Sequence, residues 1–121
     1  LNEGISTFYA ELKRIKAIIE AAKNESNMIF LIDEIFRGTN SIDRLSGAKT
    51  VISKLNELNV IGIITTHDLE LCQLANQYTR MKNYNFSEYY RDNKICFDYK
   101  MRPGKSNTTN AKYLMKMIGI I

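Results

Sequence analysis

The spacing of apolar residues changes along the chain, and each change marks a different element. From Ser6 to Lys23, Phe8, Leu12, Ile15, Ile19 and Ala22 recur at alternating steps of four and three, which gathers them on one helical face. Lys13, Lys16, Glu20 and Lys23 take the wet side, and Ser6 stands where an N-cap would, after Gly4. Asn24 to Asn27 is a polar break, and Met28-Ile29-Phe30-Leu31-Ile32 follows without interruption. Large apolar residues in a row cannot alternate between core and solvent, so this run predicts a strand covered on both faces, as in parallel sheets.

Arg37-Gly38-Thr39-Asn40-Ser41 is a polar loop, with Gly38 free to take a positive φ and Ser41 able to cap the next helix. Ala48, Val51, Ile52, Leu55 and Leu58 mark the buried face of that helix, which runs to about Glu57 and is ended by Asn59. Val60-Ile61-Gly62-Ile63-Ile64 is a second buried strand, and Asp68 to Ala75 a short helix contributing Leu71, Cys72, Leu74 and Ala75. A strand, helix, strand series of this length implies a right-handed parallel crossover, which brings both strand tips to one edge of the sheet.

From Thr79 to Met101 the pattern becomes a hairpin, with Tyr84–Tyr90 and Lys94–Tyr99 flanking an Arg91-Asp92-Asn93 turn and forming antiparallel edge strands. Arg102-Pro103-Gly104 is a turn, and helical spacing returns from Asn110 to Ile118 before Gly119 stops it. The fold class is α/β: parallel core strands, flanking helices and a C-terminal antiparallel hairpin.

A chain of 121 residues with 45% hydrophobic content can bury one core, as a single domain or a piece of one. The net charge of +4 permits contact with a polyanion, but basic and acidic residues are interspersed and form no defined nucleic-acid patch. Trp is absent, and Tyr and Phe sit at core-like spacing or in the hairpin, so stacking platforms for bases are not indicated. Cys72 and Cys96 lie in apolar surroundings without metal-ligand spacing and read as buried free thiols, which suits a reducing cytoplasm. No apolar run spans a bilayer, so a soluble protein without a membrane partner is expected. The start at Leu1, directly before a helix, suggests a fragment of a longer protein.

The chemistry is expected at the strand tips. Asp33 and Glu34 follow the first strand at its carboxyl end, the edge where open α/β sheets bind ligands. Nucleotide hydrolases use such a pair: Asp33 to hold Mg²⁺, usually through a water, and Glu34 to polarise the water that attacks the γ-phosphate. The plainer alternative is a surface turn after a buried strand. Thr65-Thr66-His67-Asp68 follows the second strand, and His67, the only histidine, would lie near the two carboxylates. There it could donate to a γ-phosphate and sense its presence.

Gly104-Lys105-Ser106 imitates the end of a phosphate-binding loop. The full motif needs a glycine where Tyr99 stands, a preceding strand and a helix opening at the Lys-Ser pair. Pro103 instead marks a turn, and the next helix starts later, near Thr108 or Thr109, so this is a hairpin exit.

Ser6-Thr7-Phe8 with Glu11, then Leu31-Ile32-Asp33-Glu34-Ile35, Arg37-Gly38-Thr39, Asp43 and Thr65-Thr66-His67-Asp68, in this order and spacing, resemble the carboxyl-terminal part of the MutS family ATPase domain. The resemblance covers nearly the whole chain, 1–121, and implies an incomplete P-loop NTPase of the ABC-ATPase-like type. It matches Asp33 and Glu34 to the Walker B pair and His67 to the switch histidine. Ser6 matches the signature serine that reaches a partner subunit's nucleotide, while Thr39, Asn40 and Asp43 match the loop lining that interface. A helix start aimed at a γ-phosphate is a sound anion site, which gives Ser6 a task besides capping.

The resemblance further implies ATP and Mg²⁺ as cofactors, a homodimer through the ATPase domain, and DNA as a partner of other domains. The phosphate-binding loop and DNA-reading domains would lie upstream of Leu1, so this piece alone should neither hold ATP tightly nor hydrolyse it. Phe36 stands where mismatch-repair members usually carry Gly, and Asn40-Ser41-Ile42-Asp43-Arg44 departs from their Ser-Thr-x-Asp-Gly, which resembles a divergent bacterial MutS-like branch. Two rivals remain: a dimerisation or regulatory module with little ATPase activity, and an ABC-type ATPase that does not act on DNA.

Overall fold

A computed structural model describes residues 3–25, 27–107 and 110–121. The chain forms two compact units, one ending at Met81 and the other starting at Lys82.

In the first unit, helix α1 (Glu3–Asn24) leads to strand β1 (Ile29–Ile32), helix α2 (Ser41–Glu57), strand β2 (Ile61–Ile64) and a 3₁₀ helix (Leu69–Asn76). The two strands pair in parallel, Ile29 with Ile61 through Ile32 with Ile64, as the expected crossover requires. Phe30 lies opposite Gly62, and its ring occupies the space a Cβ on Gly62 would need. Ile15 and Ala22 of α1, Ala48, Val51 and Leu55 of α2, and Leu71 and Leu74 of the 3₁₀ helix close over Phe30 to form the core, joined by Ile35, Phe36 and Val60. The helical faces are therefore as the periodicity predicts, except that Leu12 is left partly exposed.

The strands depart from expectation. Only one face of the pair is covered: Phe30, Ile32 and Ile64 meet the core, while Leu31 and Ile61 remain 70% and 72% exposed, with Ile29 and Ile63 beside them. The helices supply a single layer, so alternation still sorts these side chains even though all are apolar.

The helix starts also differ. α1 begins at Glu3, so Ser6 lies inside its first turns rather than at the N-cap. Asn40, not Ser41, caps α2: its Oδ1 accepts from the Asp43 N–H at 2.9 Å, and its Nδ2 donates to the Asp43 carboxylate at 2.9 Å. An amide serves this better than a hydroxyl because it can accept and donate at once. At the other end of α2, the Arg80 guanidinium donates to the Asn56, Leu58 and Val60 carbonyls at 2.8, 3.1 and 3.0 Å. The Asn56 carbonyl belongs to the last turn, where intrahelical donors run out, and the Leu58 carbonyl also accepts from the Val60 N–H at 3.0 Å.

The second unit is a hairpin of β3 (Tyr84–Arg91) and β4 (Lys94–Pro103) followed by helix α3 (Ala111–Met117). Its strands form their own two-stranded antiparallel sheet. The turn is the residue pair Asp92-Asn93, both at positive φ (52° and 58°), a left-handed geometry that matches the twist of the strands. Tyr113 of α3 packs on Tyr90 with ring centroids 3.9 Å apart. Gly119 takes φ 84° and its N–H donates to the Lys116 carbonyl, while the Ile120 N–H donates to that of Met115, so it stops α3 as expected. Gly104 leaves the hairpin with φ 95° and its N–H bonds back to the Asn83 carbonyl. No helix opens at Lys105-Ser106, and the expected start at Thr108 or Thr109 lies outside the described residues. Cys72 and Cys96 are thiols not joined in a disulfide, half-buried rather than fully buried. No helix among the described residues is long and apolar enough to cross a membrane.

Candidate functional site

Parallel pairing brings the ends of β1 and β2 side by side, and the residues that follow are stitched together by one hydroxyl. Thr65 Oγ1 donates to Asp33 Oδ1 at 2.6 Å and accepts from the Glu34 N–H at 2.7 Å. Backbone bonds flank it, from the Thr65 N–H to the Ile32 carbonyl and from the Ile35 N–H to the Thr65 carbonyl. The Glu34 backbone sits at φ 53°, a strained conformation for a side-chain-bearing residue. Its carboxylate lies between two cationic or protonatable groups: Oε1 is 3.1 Å from His67 Nε2, and Oε2 is 3.3 Å from Arg37 Nη1. The structure thus brings Asp33, Glu34 and His67 into one cluster at the sheet edge. His67 projects into solvent, its side chain 90% exposed.

The loop that continues from this cluster is held against α1. Phe36 is buried, and its ring meets Phe8 edge-on at 5.2 Å. Glu11 accepts from the backbone N–H of Arg37 and of Gly38, at 2.9 and 3.2 Å. Gly38 is required here by space and not by a positive φ: a Cβ on it would lie 2.7 Å from the Phe8 nitrogen. Thr39 is half-buried on this loop, while Asn40 and Asp43 are exposed at the start of α2 and bonded to each other. Ser6 is exposed on α1, beside the Thr7-Phe8 stretch that Gly38 touches.

A second tie holds the β2 side. Arg44 donates from Nε and Nη2 to the two Asp68 oxygens at 2.9 and 3.0 Å, fixing the start of α2 to the residue after His67. The hydrogen bonds from Arg44 hold the Asp68 carboxyl below its usual range, against an opposing effect of partial burial, and raise Arg44 in turn.

Thr65 and Glu11 are the organising residues that spacing arguments pass over. Thr65 carries a readable signal, a hydroxyl directly after an apolar strand. Nothing local to α1 marks Glu11 as the partner of a loop far along the chain.

The MutS domain V family model matches residues 1–120 of this chain. The chain belongs to the MutS domain V family. The DNA mismatch repair protein MutS of Dehalococcoides mccartyi is 30% identical to it over 99% of this chain and 14% of its own length. That of Caldanaerobacter subterraneus subsp. tengcongensis is 30% identical over 97% of this chain and 13% of its own length. The chain therefore spans a small part of these relatives. Phe36 takes φ 56°, the left-handed region that favours glycine, the residue the resemblance leads one to expect at this position. The strain is kept because the ring fills the core against Phe8.

Proposed function

We propose that this chain supplies the metal-holding and water-activating part of a P-loop, ABC-like ATPase domain, in a protein that couples ATP binding and hydrolysis at a dimer interface to DNA mismatch recognition. The observation that carries this reading is the convergence of Asp33, Glu34, Thr65 and His67 at the carboxyl edge of a parallel strand pair. The name shared by the relatives, DNA mismatch repair protein MutS, supports the biological half of it.

Among the described residues no group of three or more His, Cys, Asp and Glu side chains could form a closed metal site. An exposed carboxylate such as Asp33 suits Mg²⁺, which keeps several waters and is held through one or two carboxylates together with substrate phosphates. Asp33, exposed and aligned by the Thr65 hydroxyl, is the residue to hold it. When bound, Mg²⁺ neutralises charge on the β- and γ-phosphate oxygens. Glu34 orients the attacking water and accepts its proton, its backbone fixed by Thr65 and its carboxylate steered by Arg37 and His67. His67, once turned from Glu34, is the group to donate to the γ-phosphate in this reading. Ser6, Thr39, Asn40 and Asp43 face the nucleotide of a partner subunit in this reading. Gly104-Lys105-Ser106, where no helix opens, is not assigned to the phosphates in this reading.

The test is ATP turnover and ATP binding by the protein at its full encoded length with Glu34→Gln. Turnover falls by about 100-fold or more while binding persists, the usual cost of losing a general base. Unchanged turnover refutes the role of Glu34, and an absence of mismatch-dependent stimulation in the unmodified protein removes the repair function.

A further inference from the structure

The first turns of α1 and the loop after β1 are fastened at three successive loop residues. Phe36 packs on Phe8, the Arg37 and Gly38 N–H groups point at Glu11, and Gly38 presses on Thr7 and Phe8 so closely that no side chain fits. Of these, Glu11 is the polar element. Its Oε1 accepts from the Arg37 N–H at 2.9 Å, and its Oε2 accepts from the Arg37 and Gly38 N–H groups at 3.2 Å each. The two consecutive amides draw on both carboxylate oxygens, whereas a Gln side chain in the same place offers one acceptor oxygen. The same loop residue, Arg37, reaches back with its guanidinium to Glu34 at 3.3 Å. Glu11 thus joins α1 to the Arg37 backbone, and Arg37 joins that backbone to the Glu34 carboxylate.

We propose that Glu11 is a positioning residue that couples the start of α1, where Ser6 lies, to the orientation of Glu34. This rests on the reading of Glu34 as the group that activates water. Contact at Ser6 by a partner subunit would then be felt at Glu34 through a carboxylate that lies outside the cluster of Asp33, Glu34 and His67. Small displacements suffice, since about 1 Å of misplacement can cost on the order of 100-fold in rate.

The experiment compares the unmodified full-length protein with Glu11→Ala, Glu11→Gln, Glu34→Gln and a control, Lys13→Ala, on the same helix. Amide hydrogen exchange is followed in the peptide covering residues 36–39, alongside kcat and KM for ATP. Glu11→Ala is expected to speed exchange in that peptide by about ten-fold or more and to lower kcat by at least as much with KM within about two-fold. Glu11→Gln, which keeps the size and one acceptor, falls between Glu11→Ala and the unmodified protein and stands in for it should the alanine variant fail to fold. Lys13→Ala changes neither readout. Unchanged exchange, or faster exchange with normal kcat, overturns the coupling role of Glu11. Normal turnover in Glu34→Gln instead overturns the reading of Glu34, so the two failures are told apart.

Discussion

At Phe36 two local forces oppose each other. Left-handed backbone costs a side-chain-bearing residue about 1–2 kcal/mol, whereas emptying the space of a buried Phe costs about 3–5 kcal/mol. Packing wins, and Phe36→Gly is expected to destabilise the protein by about 2 kcal/mol net, measured as a lower denaturant midpoint at unchanged slope. A midpoint at or above that of the unmodified protein would mean that the ring contributes less than its backbone costs. Residue placement was legible in the sequence where it depended on the pattern: Asp33, Glu34 and His67 meet because parallel strands end together. It was not legible where one side chain serves a distant backbone. The loop glycine shows the difference, because a sequence suggests a special φ at Gly38 and the structure gives a steric reason instead.

Among the elements, α2 is held at both ends by groups that periodicity does not reveal. Asn40 satisfies its start, and Arg80 gathers the three carbonyls at its finish. Arg80 is exposed, so water replaces part of what is lost on its removal. Arg80→Ala should cost about 1–2 kcal/mol in thermal or denaturant unfolding, and Arg80→Lys should recover only part of that because an ammonium cannot match the spread of the guanidinium. An alanine variant as stable as the parent would show the three bonds to be interchangeable with water. The sequence identified α2 by its buried periodic face, the parallel strands by their unbroken apolar runs, and the hairpin by two β-prone segments around a polar turn. It misplaced the caps, which depend on single polar groups, and it read two covered faces into strands that have one.

For the molecule as a whole, two compact units mean two local responses to acid. In the hairpin unit, hydrogen bonds from Arg102 and from the Lys100 N–H lower the Asp98 carboxyl to about 2. A carboxyl depressed by folding stabilises the folded form above its ordinary range, and that contribution disappears as pH falls through the folded value. The hairpin should therefore weaken between the ordinary Asp range and about pH 2, and Asp98→Asn should flatten this dependence without altering the first unit. Site-resolved amide exchange or carboxyl titration by NMR checks it; an identical pH profile in the Asn variant would refute it. Arg44 and Asp68 act in the same direction within the first unit.

The Thr65 stitch also fixes when the site can exist during folding. The Asp92-Asn93 turn closes the hairpin locally, a step of microseconds. The bonds of Thr65 to Asp33 and Glu34 join residues 32 and 31 positions apart, and that of His67 to Glu34 spans 33. Closing such a loop carries an entropy cost that only the packed crossover offsets. A collapsed intermediate with both helices formed but β2 unpaired would thus hold every candidate residue and no site. Assembly of the cluster and closure of the crossover are one event.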